Sequence, residues 1–322
     1  MLADFDVFNG DADGICALHQ LRLAEPRQAQ LVTGVKRDIA LLKRVTAGRG
    51  DRVTALDISL NKNRDAVLRL LDAGASVAYF DHHQADDIPV HANFFAHIDT
   101  GAEWCTSLLV NRQLGGRHLI WAVVAAFGDN LAEAARAAAA PLDLPPAALQ
   151  ELQELGECLN YNGYGEAVED LYFDPAELYR TLHAHVDPFS FIREDRAYPI
   201  LKNGYTGDMA QAQAVAPMHE SATGSIYLLP DAAWSRRVSG VFGNALATGA
   251  PRRAHAVLTQ KTAGGYLVSV RAPLALKAGA DVLCSQFESG GGRKSAAGIN
   301  HLPEADMERF IAAFDRAFAG KA

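Results

Sequence analysis

At 322 residues and 49% hydrophobic content, the chain can build one large domain or two ordinary ones with full cores, and two are expected. A net charge of −8 and a pI near 5.8 exclude a protein that coats long nucleic acid through a basic surface, since that mode depends on many neutralised phosphates. A short anionic substrate, gripped locally, is compatible with the same balance.

The four cysteines, Cys16, Cys105, Cys158 and Cys284, form no C-x-x-C pair, which removes a zinc ribbon or a disulfide framework and fits a reduced, cytoplasmic setting. Met1 leads directly into the apolar 5–8 segment without a basic stretch, so no signal peptide is expected. No run reaches the ~18 apolar residues of a transmembrane helix, so no membrane partner is expected either.

In chain order, residues 5–8 read as a strand, 9–14 as an acidic loop, and Ile15, Leu18 and Leu21 as one face of a helix. A second strand over 31–35 leads to a helix around 38–45, for which Asp38 is the expected cap. A third strand over 53–58 contains Asp57, and a helix over 64–73 follows. The fourth strand, 76–80, runs straight into Asp81-His82-His83. Strands and helices alternating at these lengths predict a parallel sheet with helices on both faces, where ligands bind beyond the carboxyl ends of the strands.

Past that point, 93–98 reads as a strand, 102–114 as a helix carrying Thr106 and Ser107, and the almost wholly apolar 118–127 as a buried helix ending at Gly128-Asp129-Asn130. Gly128 or Asn130 suits a C-cap. Helices are then expected over 131–140, 145–159 and 175–185, broken by Gly163-Tyr164-Gly165. Residues 196–223 give mixed signals, with a helix-like 209–215, and read as an interdomain connection. A second α/β unit follows, with strands over 225–229, 254–259 and 266–271, a helix over 238–247, and an amphipathic helix over 304–318 with Met307, Phe310, Ile311, Phe314 and Phe318 on one face.

An apolar strand that ends in a carboxylate and two imidazoles is costly at a core edge unless something binds it. One such triplet is a weak signal. Asp11-Ala12-Asp13-Gly14 after the first strand, Asp57 in the third and Asp129 after the apolar helix make it part of a set, and carboxylates with imidazole suit manganese or magnesium. In the second unit, 287–298 holds Gly290-Gly291-Gly292-Arg293-Lys294-Ser295, where glycine amides and two cationic side chains can meet an anion at close range.

Together these residues resemble the DHH phosphoesterase superfamily, which includes RecJ-like exonucleases, small oligoribonucleases and a branch of pyrophosphatases. Asp11-Ala12-Asp13-Gly14, Asp57, Asp81-His82-His83 and Asp129 match its four motifs in order, and 289–298 is similar to the signature of the associated DHHA1 domain. The resemblance implies an α/β fold with a parallel-sheet catalytic domain (1–195), a connection (196–223), a smaller α/β DHHA1-like domain (224–322), and an active-site cleft between the two domains. It also implies one or two divalent ions, usually manganese with magnesium as an alternative, held by Asp11, Asp57, His82 and Asp129, with Asp57 shared.

The chain departs from the pattern at Asn9, where a carboxylate is common, and lacks the histidine that precedes it. A firm ion is therefore expected at Asp11, Asp57, His82 and Asp129, and a weaker one near Asn9, Asp13 and Asp57. Arg293 stands where the DHHA1 loop usually has histidine. The implied activity is a phosphodiesterase for short single-stranded oligonucleotides or small nucleotides, with Asp57 and His83 at the reacting phosphate and Gly291, Gly292, Arg293, Lys294 and Ser295 holding a distal one. The alternatives are a phosphatase for pyrophosphate or a nucleoside bisphosphate, and a non-catalytic nucleotide-binding protein of the same fold. A homodimer is left open.

Overall fold

Phe5 and Val7 alternate with Asp6 and Phe8 along the first strand, and this alternation sets up two cores. In the computed structural model, which describes residues 2–319, Phe5 and Val7 lie on one face of the sheet with Val53, Ala55, Val77 and Tyr79. Phe8, Leu56 and Phe80 lie on the other, against a much larger helical layer. Both faces of the sheet are therefore buried, as a parallel sheet requires.

The chain divides into two compact units, 1–203 and 204–322. The first contains β1 (Asp4–Phe8), α1 (Ala12–Ala24), β2 (Gln30–Val32), β3 (Arg52–Leu56), α2 (Leu60–Asp72), β4 (Ser76–Asp81) and β5 (Phe94–Ile98). After these come α3 (Thr106–Gln113), α4 (Leu119–Gly128), α5 (Ala132–Ala139), α6 (Pro146–Asn162), α7 (Pro175–His183) and α8 (Pro188–Glu194). Helix α9 (Ala197–Gln213) runs through the boundary. The strands are ordered β2-β1-β3-β4-β5, all parallel. Phe8 pairs with Leu56 and Leu56 with Phe80, so three strands end level and the residues after them share one edge.

Burying Asp6 on the helical face needs a partner, and Arg22 of α1 supplies it, donating through Nε at 2.8 Å and also to Thr54 Oγ1 at 3.2 Å. Small residues bring helices α4 and α6 together. A Cβ on Gly128 would come within 2.5 Å of Ala12 Cβ and 2.7 Å of the Gly156 carbonyl. That close approach carries the end of α4 and the last turns of α6 to the start of α1.

The second unit has a six-stranded sheet ordered β10-β11-β9-β8-β7-β6, from β6 (His219–Glu220), β7 (Gly224–Leu229), β8 (Ala254–Gln260), β9 (Tyr266–Arg271), β10 (Gly290–Gly292) and β11 (Ala296–Leu302). Helix α10 (Ala233–Gly249) links the parallel pair β7 and β8; the other pairs are antiparallel. Helices α11 (Ala280–Cys284) and α12 (Met307–Phe318) complete it. Phe310, Phe314 and Phe318 of α12 enter the core as the 3.6-residue pattern predicts.

Several expectations need correction. The helix around 38–45 is only a 3-10 turn, Leu41–Arg44, and Asp38 does not cap it, because its carboxylate pairs with Arg44. Residues 197–213 are one continuous helix despite the Gly204 and Gly207 signals. The glycine-rich stretch is a hairpin, not a loop: β10 and β11 pair through Gly291 and Gly298, and β11 pairs with β9. Glycines have little strand preference, so cross-strand pairing rather than local sequence decides that segment. Among the described residues no helix is long and apolar enough to cross a membrane.

Candidate metal centre

Each acidic residue of the site is placed by a helix end or a strand end. Asp11 is the N-cap of α1, where its Oδ1 accepts from the amides of Asp13 (3.0 Å) and Gly14 (3.1 Å). Asp13, in the first turn of α1, reaches across to the start of α3 and accepts from the amides of Thr106 and Ser107, both at 2.7 Å. It thereby joins two helix N-termini, whose dipoles favour a carboxylate. Asp57 follows β3 in a left-handed conformation (φ 57°), and Thr106 Oγ1 donates to its Oδ1 at 3.3 Å. Asp129 is the C-cap of α4, and Asn130 takes the left-handed conformation (φ 62°) that ends the helix.

The Asp81-His82-His83 triplet divides its work. Asp81, wholly buried at the end of β4, accepts from the His82 amide (3.0 Å) and from His83 Nδ1 (2.6 Å). This bond orients the half-buried His83 ring and leaves its Nε2 free of that partner. His82 turns its Nε2 toward Asp57 Oδ1 (3.4 Å) and Asp129 Oδ2 (3.5 Å). Two groups result in which ligand atoms lie within 4.8 Å of one another: Asp57, His82 and His83, and Asp13, His82 and Asp129. Both share His82.

The electrostatics of the site call for a cation. Burial, reinforced by Asp11 and Asp13, raises the Asp57 carboxyl well above the usual carboxylate range. Burial raises Asp13 too, with Asp129 and Asp11 adding to it. Burial would lower the pKa of His82, but Asp57, Asp13 and Asp129 outweigh it and carry it from 6.5 to about 10. Buried Asn9 Oδ1 and Asp81 Oδ2 have no hydrogen-bond partner. Carboxylate oxygens with one imidazole, beside orphaned buried acceptors, fit a hard divalent ion.

Sequence reasoning missed two residues here. Lys36 Nζ pairs with Asp11 and donates to Asp129 Oδ1 (3.1 Å) and Asn160 Oδ1 (3.0 Å). Lys36 lies beyond the carboxyl end of β2, so the rule that singled out Asp57 also pointed to it. Asn160, on α6, carried no such signal. Asn9 is buried and donates from Nδ2 to the Lys36 carbonyl at 3.2 Å.

Gly291, Gly292, Arg293, Lys294 and Ser295 lie in the second unit. Gly291 and Gly292 are in β10, and Arg293 and Ala296 close the hairpin by mutual backbone bonds of 2.9 and 3.2 Å. Arg293, Lys294 and Ser295 are exposed at its tip.

The fold is similar to that of exonuclease RecJ bound to manganese, with a TM-score of 0.56 and 18% identity over 99% of this chain and 90% of that one. It is similar to RecJ from Thermus thermophilus in complex with Mn2+ (TM-score 0.60, 17% identity, 98% of this chain), of which it spans about half the length, 52%. The pGpG-specific phosphodiesterase PggH from Vibrio cholerae has a TM-score of 0.58 and 14% identity over 99% of this chain and 100% of that one. At these identities the likeness is one of fold, and the chain has the two-domain, RecJ-like α/β fold that its sequence led us to expect. No protein-family model matches the sequence, and no curated protein matches it.

Proposed function

We propose that this chain is a manganese-dependent phosphodiesterase acting on short single-stranded oligonucleotides or small nucleotides. The observation that carries the proposal is the meeting of Asp11, Asp13, Asp57 and His82, beyond the level carboxyl ends of β1, β3 and β4, with Asp129 at the end of α4, in the fold of a manganese-bound exonuclease and a pGpG phosphodiesterase. Residues 1–195 act as the metal-binding domain and 224–322 as the substrate-binding domain. Asp57, His82, Asp129 and Asp13 would hold the ion, with Asp11 and Asn9 beside them. When bound, divalent ions lower the pKa of a water and balance charge on phosphate oxygens.

The chain's own residues supply the rest. Asp81 fixes His83 so that its free ring nitrogen can contact the phosphate or hand a proton to the leaving oxygen. Arg293 and Lys294, with the open backbone at Gly291, grip a second phosphate. A short substrate suits an acidic protein that matches the pGpG-specific phosphodiesterase over the whole of that chain. Four buried free cysteines support a cytoplasmic location.

The test is a manganese-supplemented panel of dinucleotides, longer single strands, cyclic dinucleotides, nucleoside bisphosphates and pyrophosphate. Mononucleotide release from dinucleotides, abolished by a chelator, is the expected result. Release of free phosphate from the bisphosphates or pyrophosphate alone would replace the phosphodiesterase by a phosphatase, and no turnover of any compound would remove the enzyme.

A further inference from the structure

The Lys36 ammonium has three N–H donors, and the fold offers it three acceptors: Asp11 Oδ2, Asp129 Oδ1 and Asn160 Oδ1. The Tyr164 ring faces it, with its centroid 5.7 Å from Nζ. This is a complete cage for an ammonium group. Its backbone is anchored as well, since the Lys36 amide donates to the Gly163 carbonyl at 2.8 Å and its carbonyl accepts from Asn9. Gly163 itself passes so close to Asp11 that a Cβ there would lie 3.0 Å from Asp11 Cβ.

The bonds also sort the carboxylate oxygens. Asp11 uses Oδ1 for the amides of Asp13 and Gly14, and its other oxygen, Oδ2, already faces the Lys36 cation. Asp129 is split, with Oδ1 toward Lys36 and Oδ2 toward His82. What remains for an exogenous cation is the corner around His82, which groups with Asp57 and His83 on one side and with Asp13 and Asp129 on the other. The Asp11 corner already holds a positive charge.

We propose that Lys36 is a built-in cation that occupies the Asp11–Asp129–Asn160 corner in place of a second ion, so that each chain loads one divalent ion, at His82. The inference rests on the metal-dependent reading above. Lys36 is thus a positioning residue that holds Asp11 and Asp129 in place and supplies fixed charge, while the ion is held without Asp11.

Manganese content after equilibrium dialysis, with electron paramagnetic resonance to detect a spin-coupled pair, tests this in the full-length wild type, Lys36→Arg and Lys36→Ala. One uncoupled ion per chain is expected in the wild type and in Lys36→Arg, which keeps the charge. Lys36→Ala opens the corner and should load a second ion with a coupled-pair spectrum. Two ions in the wild type, or one in all three proteins, would overturn the inference while leaving the hydrolase reading intact. No bound ion in the wild type would remove both. A second ion in the wild type or in Lys36→Arg would overturn the inference even if Lys36→Ala does not fold.

Discussion

The two candidate functional regions of this molecule are built in opposite ways. At the edge of the parallel sheet, Asp11, Asp13, Asp57 and Asp81 are at most 2% exposed, and each is bonded to helix amides, a hydroxyl or a neighbouring imidazole. At the hairpin of the second unit, Arg293, Lys294 and Ser295 stand in solvent on a tight glycine frame. The first arrangement concentrates charge where water cannot screen it, which makes it a strong cation site and a destabilising one until filled. The second keeps its charges hydrated, so they attract an anion at little folding cost and with modest strength. In the proposed function, chemistry falls to the buried region and affinity to the exposed one.

The largest effect that would break this contrast comes from Asp57→Asn. Asparagine tolerates the left-handed backbone at φ 57° but removes a buried charge. Activity should fall by more than about 100-fold, on the scale of lost metal affinity, while the metal-free protein melts at a higher temperature than wild type. A lower melting temperature would show that the acidic cluster is not a source of strain.

Packing offers a second comparison, because both regions depend on glycine for different reasons. Gly156 touches α4 so closely that a Cβ would fall 2.9 Å from the Gly128 amide nitrogen, whereas a Cβ on Gly291 meets nothing within 4 Å. Gly156→Ala should cost on the order of 1–3 kcal/mol in denaturant unfolding through overpacking. Gly291→Ala should leave stability within about 0.5 kcal/mol, as exposed substitutions do, and raise KM if its backbone approaches the substrate. Equal destabilisation by the two would erase the distinction.

Arg293→Ala and Lys294→Ala sharpen the comparison from the other side. Each should raise KM by about tenfold, the loss of one charge-assisted contact, with kcat nearly unchanged and a smaller dependence on salt. A fall in kcat at constant KM would move these residues into the chemistry.

The smallest effect lies away from both regions, at His19 in the helical core. Burial, then His183 and His118, hold its pKa well below 6.5. The unfolded chain therefore takes up that proton first, so stability present above about pH 6.5 is lost as pH falls, at up to about 1.4 kcal/mol per pH unit. The difference in unfolding free energy between wild type and His19→Gln, followed from pH 7 to pH 5, should show this slope. A flat difference would show that His19 is charged in the fold.

What the sequence by itself determined is local and periodic. Apolar runs ending in Asp57 and Asp81-His82-His83 identified β3 and β4 and the edge on which they terminate, because a strand fixes both a face and an end. The spacing of Phe310, Phe314 and Phe318 identified α12 in the same way. Tertiary structure alone decided which groups meet. Asp13 spends its oxygens on α3, Asp38 pairs with Arg44 rather than capping a helix, and Lys36 and Asn160, 124 residues apart, close one corner of the site. Those outcomes follow from helix packing at Gly128 and Gly156 and from which buried acceptor lies nearest each donor, and neither is written in the residues adjacent to them.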